Sequence, residues 1–259
     1  MQIVMIGTGN TATVLGMKLL QAGNTIVQVY GRNGIAALAL AEKLQASHSC
    51  NDLNDIIPNA DLYIFAIADM ALAEVAAQLR LKDKLAVHTA GAVSINVLKD
   101  VSTNYGVLYP YQTIRKEVLP LPEIPFLVDA STVAATEILV SLAKKISDKV
   151  SIAGDETRMQ YHVCAVMTNN FSNYLYTLTE NYCRKNGLDF SNLLPLIDET
   201  ASRLHHFSPQ QVQTGPAIRK DLKTIETHLG LLNDDPSLKE VYRFFSAQMI
   251  AFDWHSHNV

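Results

Sequence analysis

From Gln2 to Ala153, short apolar, β-branched runs alternate with segments whose apolar residues recur at helical spacing. QIVMI (2–6), TIVQVY (25–30), DLYIFAI (61–67), KLAVHTA (84–90), YGVLYP (105–110), PFLVDA (125–130) and KVSIA (149–153) read as strands. Runs so uniformly apolar belong to strands covered on both faces. Helical spacing fills the gaps, including INVLKDV (95–101) and residues 131–146. The alternation predicts an α/β fold with a doubly wound, mainly parallel sheet. Past Gly154 it stops, and four helical stretches follow: 155–187, 191–207, 217–232 and 237–252. The expected organisation is an α/β domain over 1–153 and an all-α C-terminal domain over 154–259.

The first strand runs straight into IGTGNTA (6–12), which opens a helix. Two glycines there suit a plain tight turn, but the head of an α/β domain is where such folds seat a dinucleotide's phosphates. Gly7 permits the turn, Gly9 lets the backbone approach a pyrophosphate, and Ala12 allows close helix–strand packing. Free amides and a partial positive charge at the helix start favour the anion. The second strand ends in VYGRN, with no acid to hold a ribose 2′-hydroxyl. Arg32, followed by Asn33, suits a 2′-phosphate instead, because forked charge-assisted bonds contribute about 1.5–3 kcal/mol. NADP is the expected cofactor, with NAD possible. The plain alternative is a solvated loop arginine.

Composition narrows the remaining classes. A net charge of −4, from 25 acids and 21 bases without runs of like sign, gives no reason to expect nucleic acid or an anionic membrane. No segment approaches the ~18 uninterrupted apolar residues of a membrane span. Three widely spaced cysteines, Cys50, Cys164 and Cys183, point to reduced thiols in a cytosolic compartment. A first strand starting beside Met1 leaves no room for a leader peptide. The expectation is a cytoplasmic protein acting on a small molecule. His255-Ser-His257 is too few ligands for a metal site.

IGTGNTA (6–12), DLYIFAIADMAL (61–72), VHTAGAVS (87–94), GVLYPYQT (106–113), NNFSNYLY (169–176) and QTGPAIRKDLKTIETHL (213–229) together carry a resemblance. The chain resembles the Rossmann-like NADP oxidoreductases with a C-terminal helical domain of unknown function, distant relatives of pyrroline-5-carboxylate reductase and of deazaflavin-dependent NADP oxidoreductases. The resemblance covers nearly the whole chain. It implies a cofactor site built from Gly7, Thr8, Gly9, Asn10, Thr11, Arg32, Asn33, Ala66, Ile67, Ala68, Thr89 and Gly91. Separately, the apolar faces of residues 154–259 would bury against a second copy, giving a homodimer through the helical domain.

Candidate chemistry gathers where strands end. His88, Thr89 and Ser94 follow the strand at 84–90, and histidine relays protons near neutral pH. His88 could equally be a buried, hydrogen-bonded strand residue. Gly91 would let the backbone turn near the nicotinamide. Tyr109, Gln112 and Thr113 leave the next strand at the same edge, as a substrate wall or as structure. His162, Asn169 and Asn173, spaced by seven and four, would share one helix face. That face would meet the cofactor crevice or form a hydrogen-bonded seam. The related hydroxyacid dehydrogenases carry Lys-x-x-Asn-Asn on this helix. Matching Asn169 and Asn170 puts Val166 at the lysine, which cannot supply a proton. His88, Tyr109, His162 and Asn169 are therefore the catalytic candidates, and Gln112, Asn173 and Arg219 the substrate contacts.

In QTGPAIRKD, Gly-Pro would start a helix on which Arg219, Asp221 and His228 follow. Arg219 would grip a carboxylate, or pair with Asp221 as a brace. Tyr182, His205 and His206 read as surface or packing residues. The leading expectation is an NADP-dependent oxidoreductase moving hydride between nicotinamide and a small carbonyl or imine. The alternative is a dinucleotide-binding sensor or scaffold without turnover.

Overall fold

A computed structural model describes residues 1–254; His255 and His257 lie outside the described residues. The chain divides into two compact units, Met1–Asn169 and a second beginning at Asn170. The division falls later than the expected boundary near 153, because the helix after Gly154 belongs to the first unit.

The first unit holds an eight-stranded sheet. Its strands are β1 (Gln2–Ile6), β2 (Thr25–Tyr30), β3 (His48–Cys50), β4 (Leu62–Phe65), β5 (Leu85–His88), β6 (Tyr105–Pro110), β7 (Phe126–Ala130) and β8 (Val150–Ile152). Their order is β3-β2-β1-β4-β5-β6-β7-β8. All neighbours run parallel except β6 and β7, which are antiparallel. The helices of this unit are α1 (Asn10–Gln21), α2 (Gly34–Lys43), α3 (Asp69–Ala77), α4 (Val133–Lys144) and α5 (Asp155–Ala165).

The central strands show why apolar runs become strands here. Successive side chains point to opposite faces, so Ile3, Met5, Leu62 and Ile64 join one buried cluster. Val4, Ile6, Tyr63 and Phe65 join a second on the other face. Helices cover both layers. Parallel register aligns Ile6 with Phe65, Phe65 with His88 and His88 with Val107. The carboxyl ends of β1, β4 and β5 therefore finish level, β6 runs on to Pro110, and the turns after them share one edge of the sheet.

Several boundaries differ from the expectation. β3 was not anticipated: three residues at a sheet edge carry too little pattern. Gln28 explains the neighbouring loop, its buried amide donating to the Asp55 carbonyl at 2.8 Å and accepting from the Ile57 N–H at 2.9 Å. INVLKDV contains only a 3-10 turn, Ile95–Leu98.

The second unit contains α6 (Ser172–Lys185), α7 (Leu194–Arg203), α8 (Leu222–Leu231) and α9 (Pro236–Ala251). The stretch 155–187 is not a uniform α-helix, because Val166–Phe171 is π-helical. One extra residue per turn rotates everything after it by about a quarter turn, so the 3.6-residue arithmetic for His162, Asn169 and Asn173 fails. α8 begins five residues later than expected. Asp221 caps it, its carboxylate accepting from the Thr224 N–H at 3.1 Å and the Thr224 hydroxyl at 2.7 Å. Arg219 lies in the turn before the helix, not on it. His205 and His206 lie in the turn that ends α7.

Candidate functional site

The first feature of the site is a cleft of about 720 Å³ beside the carboxyl ends of β1, β2 and β4, within the range of small-molecule sites. Gly7, Thr8 and Gly9 form one wall, Arg32 and Asn33 another, and Ala66, Ile67 and Ala68 a third. These expected cofactor residues are brought together. Asn10 and Thr11 start α1, while Thr89 and Gly91 belong to the neighbouring turn after β5; none of the four lines the cleft.

The glycine turn passes a test of fit for a dinucleotide. Gly7 has φ of +126°, and a Cβ there would sit 2.1 Å from the Ala66 carbonyl oxygen, so no other residue fits. A Cβ on Gly9 would meet nothing within 4 Å; its absence leaves the helix head bare. α1 has no side-chain cap and no acid in its first turn; α3, α5, α6, α7 and α9 are also without a side-chain cap, while Asn33, Thr132 and Asp221 cap α2, α4 and α8. Its first amides remain available to an anion.

Asn33 has a double position. Its side-chain oxygen accepts from the Ile35 and Ala36 N–H groups at 3.0 and 3.1 Å, which leaves its amide nitrogen able to donate. Arg32 is exposed at the cleft and has no ion-pair partner among the described residues. Two acids that sequence reading missed, Asp52 and Glu74, line the same cleft.

The second feature is a side-chain cluster at the next strand ends. The hydroxyl of Tyr109, on β6, lies 3.1 Å from Nδ1 of His162 on α5. Tyr111 packs edge-on against Tyr109, with centroids 6.0 Å apart, and against Tyr161 at 5.6 Å. A Cβ on Gly91 would fall 2.6 Å from Tyr109 Cζ and 2.8 Å from His162 Nδ1. Gly91 is thus required for close approach rather than for a turn. Asn169, in the π-helical segment, donates from Nδ2 to the Thr113 hydroxyl. Gln112 is exposed nearby in sequence. Burial pushes the Tyr109 phenol above its ordinary range, Tyr111 and Asp69 push the same way, and Arg158 opposes them.

His88 stands apart from this cluster. It is wholly buried, and its Nδ1 accepts from the Ala90 N–H at 3.2 Å. Burial, and then the Arg158 charge, lower it to about 4. The ring is therefore neutral near pH 7, and its buried Nε2 has no hydrogen-bond partner among the described residues. Thr89 donates its N–H to the Phe65 carbonyl at 3.2 Å, tying the ends of β4 and β5 together. Ser94 caps the 3-10 turn through the Asn96 N–H at 3.2 Å.

Asn173 and Arg219 belong to the second unit. There His228 Nδ1 lies 2.8 Å from the Tyr242 hydroxyl, and no Arg219–Asp221 ion pair occurs among the described residues. Sequence reading passed over Asp155 and Arg158. Their signal was present: Asp155, Arg158 and His162 fall at i, i+3 and i+7, one face of a helix. Among the described residues no three His, Cys, Asp or Glu side chains gather to hold a metal. No helix there is long and apolar enough to cross a membrane.

A mainly parallel sheet covered on both faces, with an uncapped glycine turn at its carboxyl edge, defines a Rossmann-like class of fold, here followed by helices. Residues 2–91 match the family described as NADP oxidoreductase, coenzyme F420-dependent, and residues 124–249 match a domain of unknown function, DUF2520. A “putative NADP oxidoreductase” from Bacteroides fragilis is 40% identical, with 96% of this chain and 97% of that chain covered and a TM-score of 0.89. The chain belongs to this NADP oxidoreductase family with a DUF2520 helical region.

A Thermotoga maritima protein is 22% identical, with 95% and 97% covered and a TM-score of 0.79. The reductive aminase from Aspergillus terreus, solved with NADPH and ethyl-5-oxohexanoate, shares the fold at 16% identity, with 98% and 96% covered and a TM-score of 0.69. No curated protein matches.

Proposed function

We propose that the protein is an NADP-dependent oxidoreductase moving hydride between nicotinamide and a small carbonyl or imine substrate. The observation that carries this reading is the Tyr109–His162 hydrogen bond of 3.1 Å, in the same unit as the bare glycine turn. Gly7, Gly9 and the first amides of α1 would hold the pyrophosphate, and Arg32 with the Asn33 amide the 2′-phosphate. Bound there, NADPH supplies the hydride. The chain supplies the proton: the Tyr109 hydroxyl gives it to the substrate nitrogen or oxygen as the C=N or C=O bond is reduced. His162 Nδ1 then returns a proton to the phenolate. Asn169, with Thr113, would orient the substrate, and Gln112 remains a candidate contact.

Support comes from the family and from the reductive aminase of the same fold. Free cysteines and the scattered charge fit a cytoplasmic enzyme without nucleic-acid or membrane partners. Exposed apolar side chains in the second unit, such as Leu196, Leu231 and Phe244, fit a homodimer through the helical domain. The test is NADPH consumption against a panel of small ketones, keto acids and cyclic imines. Turnover lost in Tyr109→Phe supports the reading. Val166, which carries no proton, favours the second reading of a sensor without turnover. That reading gains if NADPH binds, no substrate consumes it and the oligomeric state changes.

A further inference from the structure

Arg158 is 1% exposed, and it lies on α5 one turn before His162. Its Nη2 donates to the Val93 carbonyl and to Asp155 Oδ1, both at 2.6 Å. Asp155 also accepts the Ile95 N–H at 3.2 Å. Nε and Nη1 of Arg158 are buried without a hydrogen-bond partner in the structure. Burying a part-paired guanidinium is costly, and an apolar side chain of similar volume fills such space at no electrostatic cost. Filling space therefore does not account for this residue.

Its contacts show what it does hold. Val93 and Ile95 lie in the loop after β5, and Arg158 and Asp155 lie on α5, so the pair fastens that loop to the helix. The same loop carries Gly91, whose backbone abuts both Tyr109 and His162. Slack of a few tenths of an ångström in the loop opens that contact. We propose that Arg158 is a positioning residue for the Tyr109–His162 pair: held by Asp155, it ties the Gly91–Ile95 loop to α5 and so fixes the Gly91 backbone against both rings.

The groups facing Tyr109 have a consistent logic. Tyr111 from its own strand region and Asp69 from α3 oppose its ionisation, as does burial. His162 bonds it from α5, and Arg158 is the cation that favours the phenolate. Hydrogen bonds from Ser94, Arg158 and the Ile95 amide overcome burial and hold the Asp155 carboxyl below its usual range, so the partner stays ionised.

This inference rests on the proton-transfer role given to Tyr109 and His162, but its test needs no turnover. 3-Fluorotyrosine placed at position 109 of the full chain is titrated by 19F NMR. Arg158→Gln should make the phenol less acidic than in wild type, and Arg158→Lys should restore most of that loss. Asp155→Asn, which leaves the cation without its counter-charge, should shift the titration the opposite way. Titrations of Arg158→Gln and Asp155→Asn that coincide with wild type, or that move in the same direction, overturn the proposal. If Arg158→Gln does not fold, the direction of the Asp155→Asn shift decides.

Discussion

The Tyr109 hydroxyl stands 3.1 Å from Nδ1 of His162, fifty-three residues further along the chain. One partner comes from a strand end and the other from the helix that closes the first unit, so folding alone assembles the pair. Removing either should cut turnover by about 10²–10⁴-fold, the usual contribution of a placed acid–base group. Tyr109→Phe and His162→Gln, assayed for kcat with whichever substrate the panel yields, should show that loss at unchanged NADPH affinity. A variant retaining full kcat removes the residue from the mechanism.

Two glycines give opposite expectations from the same substitution. Gly91→Ala drives a methyl group into Tyr109 and His162, at 2.6 and 2.8 Å, and should cost about 1–3 kcal/mol of stability. Gly9→Ala meets nothing within 4 Å, so stability should stay within about 0.5 kcal/mol while NADPH affinity falls. Denaturant midpoints and binding curves on both variants separate the two roles.

Arg32 is the one basic side chain of the cleft wall that follows β2. Arg32→Ala should erase roughly 1.5–3 kcal/mol of NADP binding, a loss of about ten- to a hundredfold, with NAD affinity nearly unchanged. Equal losses for both nucleotides would show that the guanidinium contacts something they share.

His88 links the core to pH. Its folded value, about 4, lies below its ordinary 6.5, so the unfolded chain binds more protons between these values. The stabilising contribution is present above about pH 6.5 and is lost as pH falls through about 4. Over that window the linkage amounts to roughly 3 kcal/mol. Urea unfolding at stepped pH should show wild-type stability falling below pH 6.5 and a flatter profile in His88→Gln.

What could be read in advance follows physical lines. The central strands were legible because burial on both faces forces continuous apolar runs, as at Ile3–Ile6 and Leu62–Phe65. The glycine turn was legible because Gly7 needs a positive φ beside the Ala66 carbonyl, a demand that restricts the residue type. β3 was not, since three residues at an edge make few demands on sequence. The start of α8 was misplaced because the Asp221 cap outweighs the proline signal at Pro216. Pairings across long separations, such as Tyr109 with His162 or Arg158 with Val93, leave no local trace at all. The π-helical turn at Val166–Phe171 also hides from any periodicity that assumes one pitch.

The whole account depends on nucleotide held at the bare head of α1. Equilibrium titration of the intact protein with NADPH, followed by nicotinamide fluorescence and repeated with NADH, tests this most directly. Saturable binding of NADPH, at least tenfold tighter than NADH, is the predicted result. No saturable binding of either nucleotide would contradict the account.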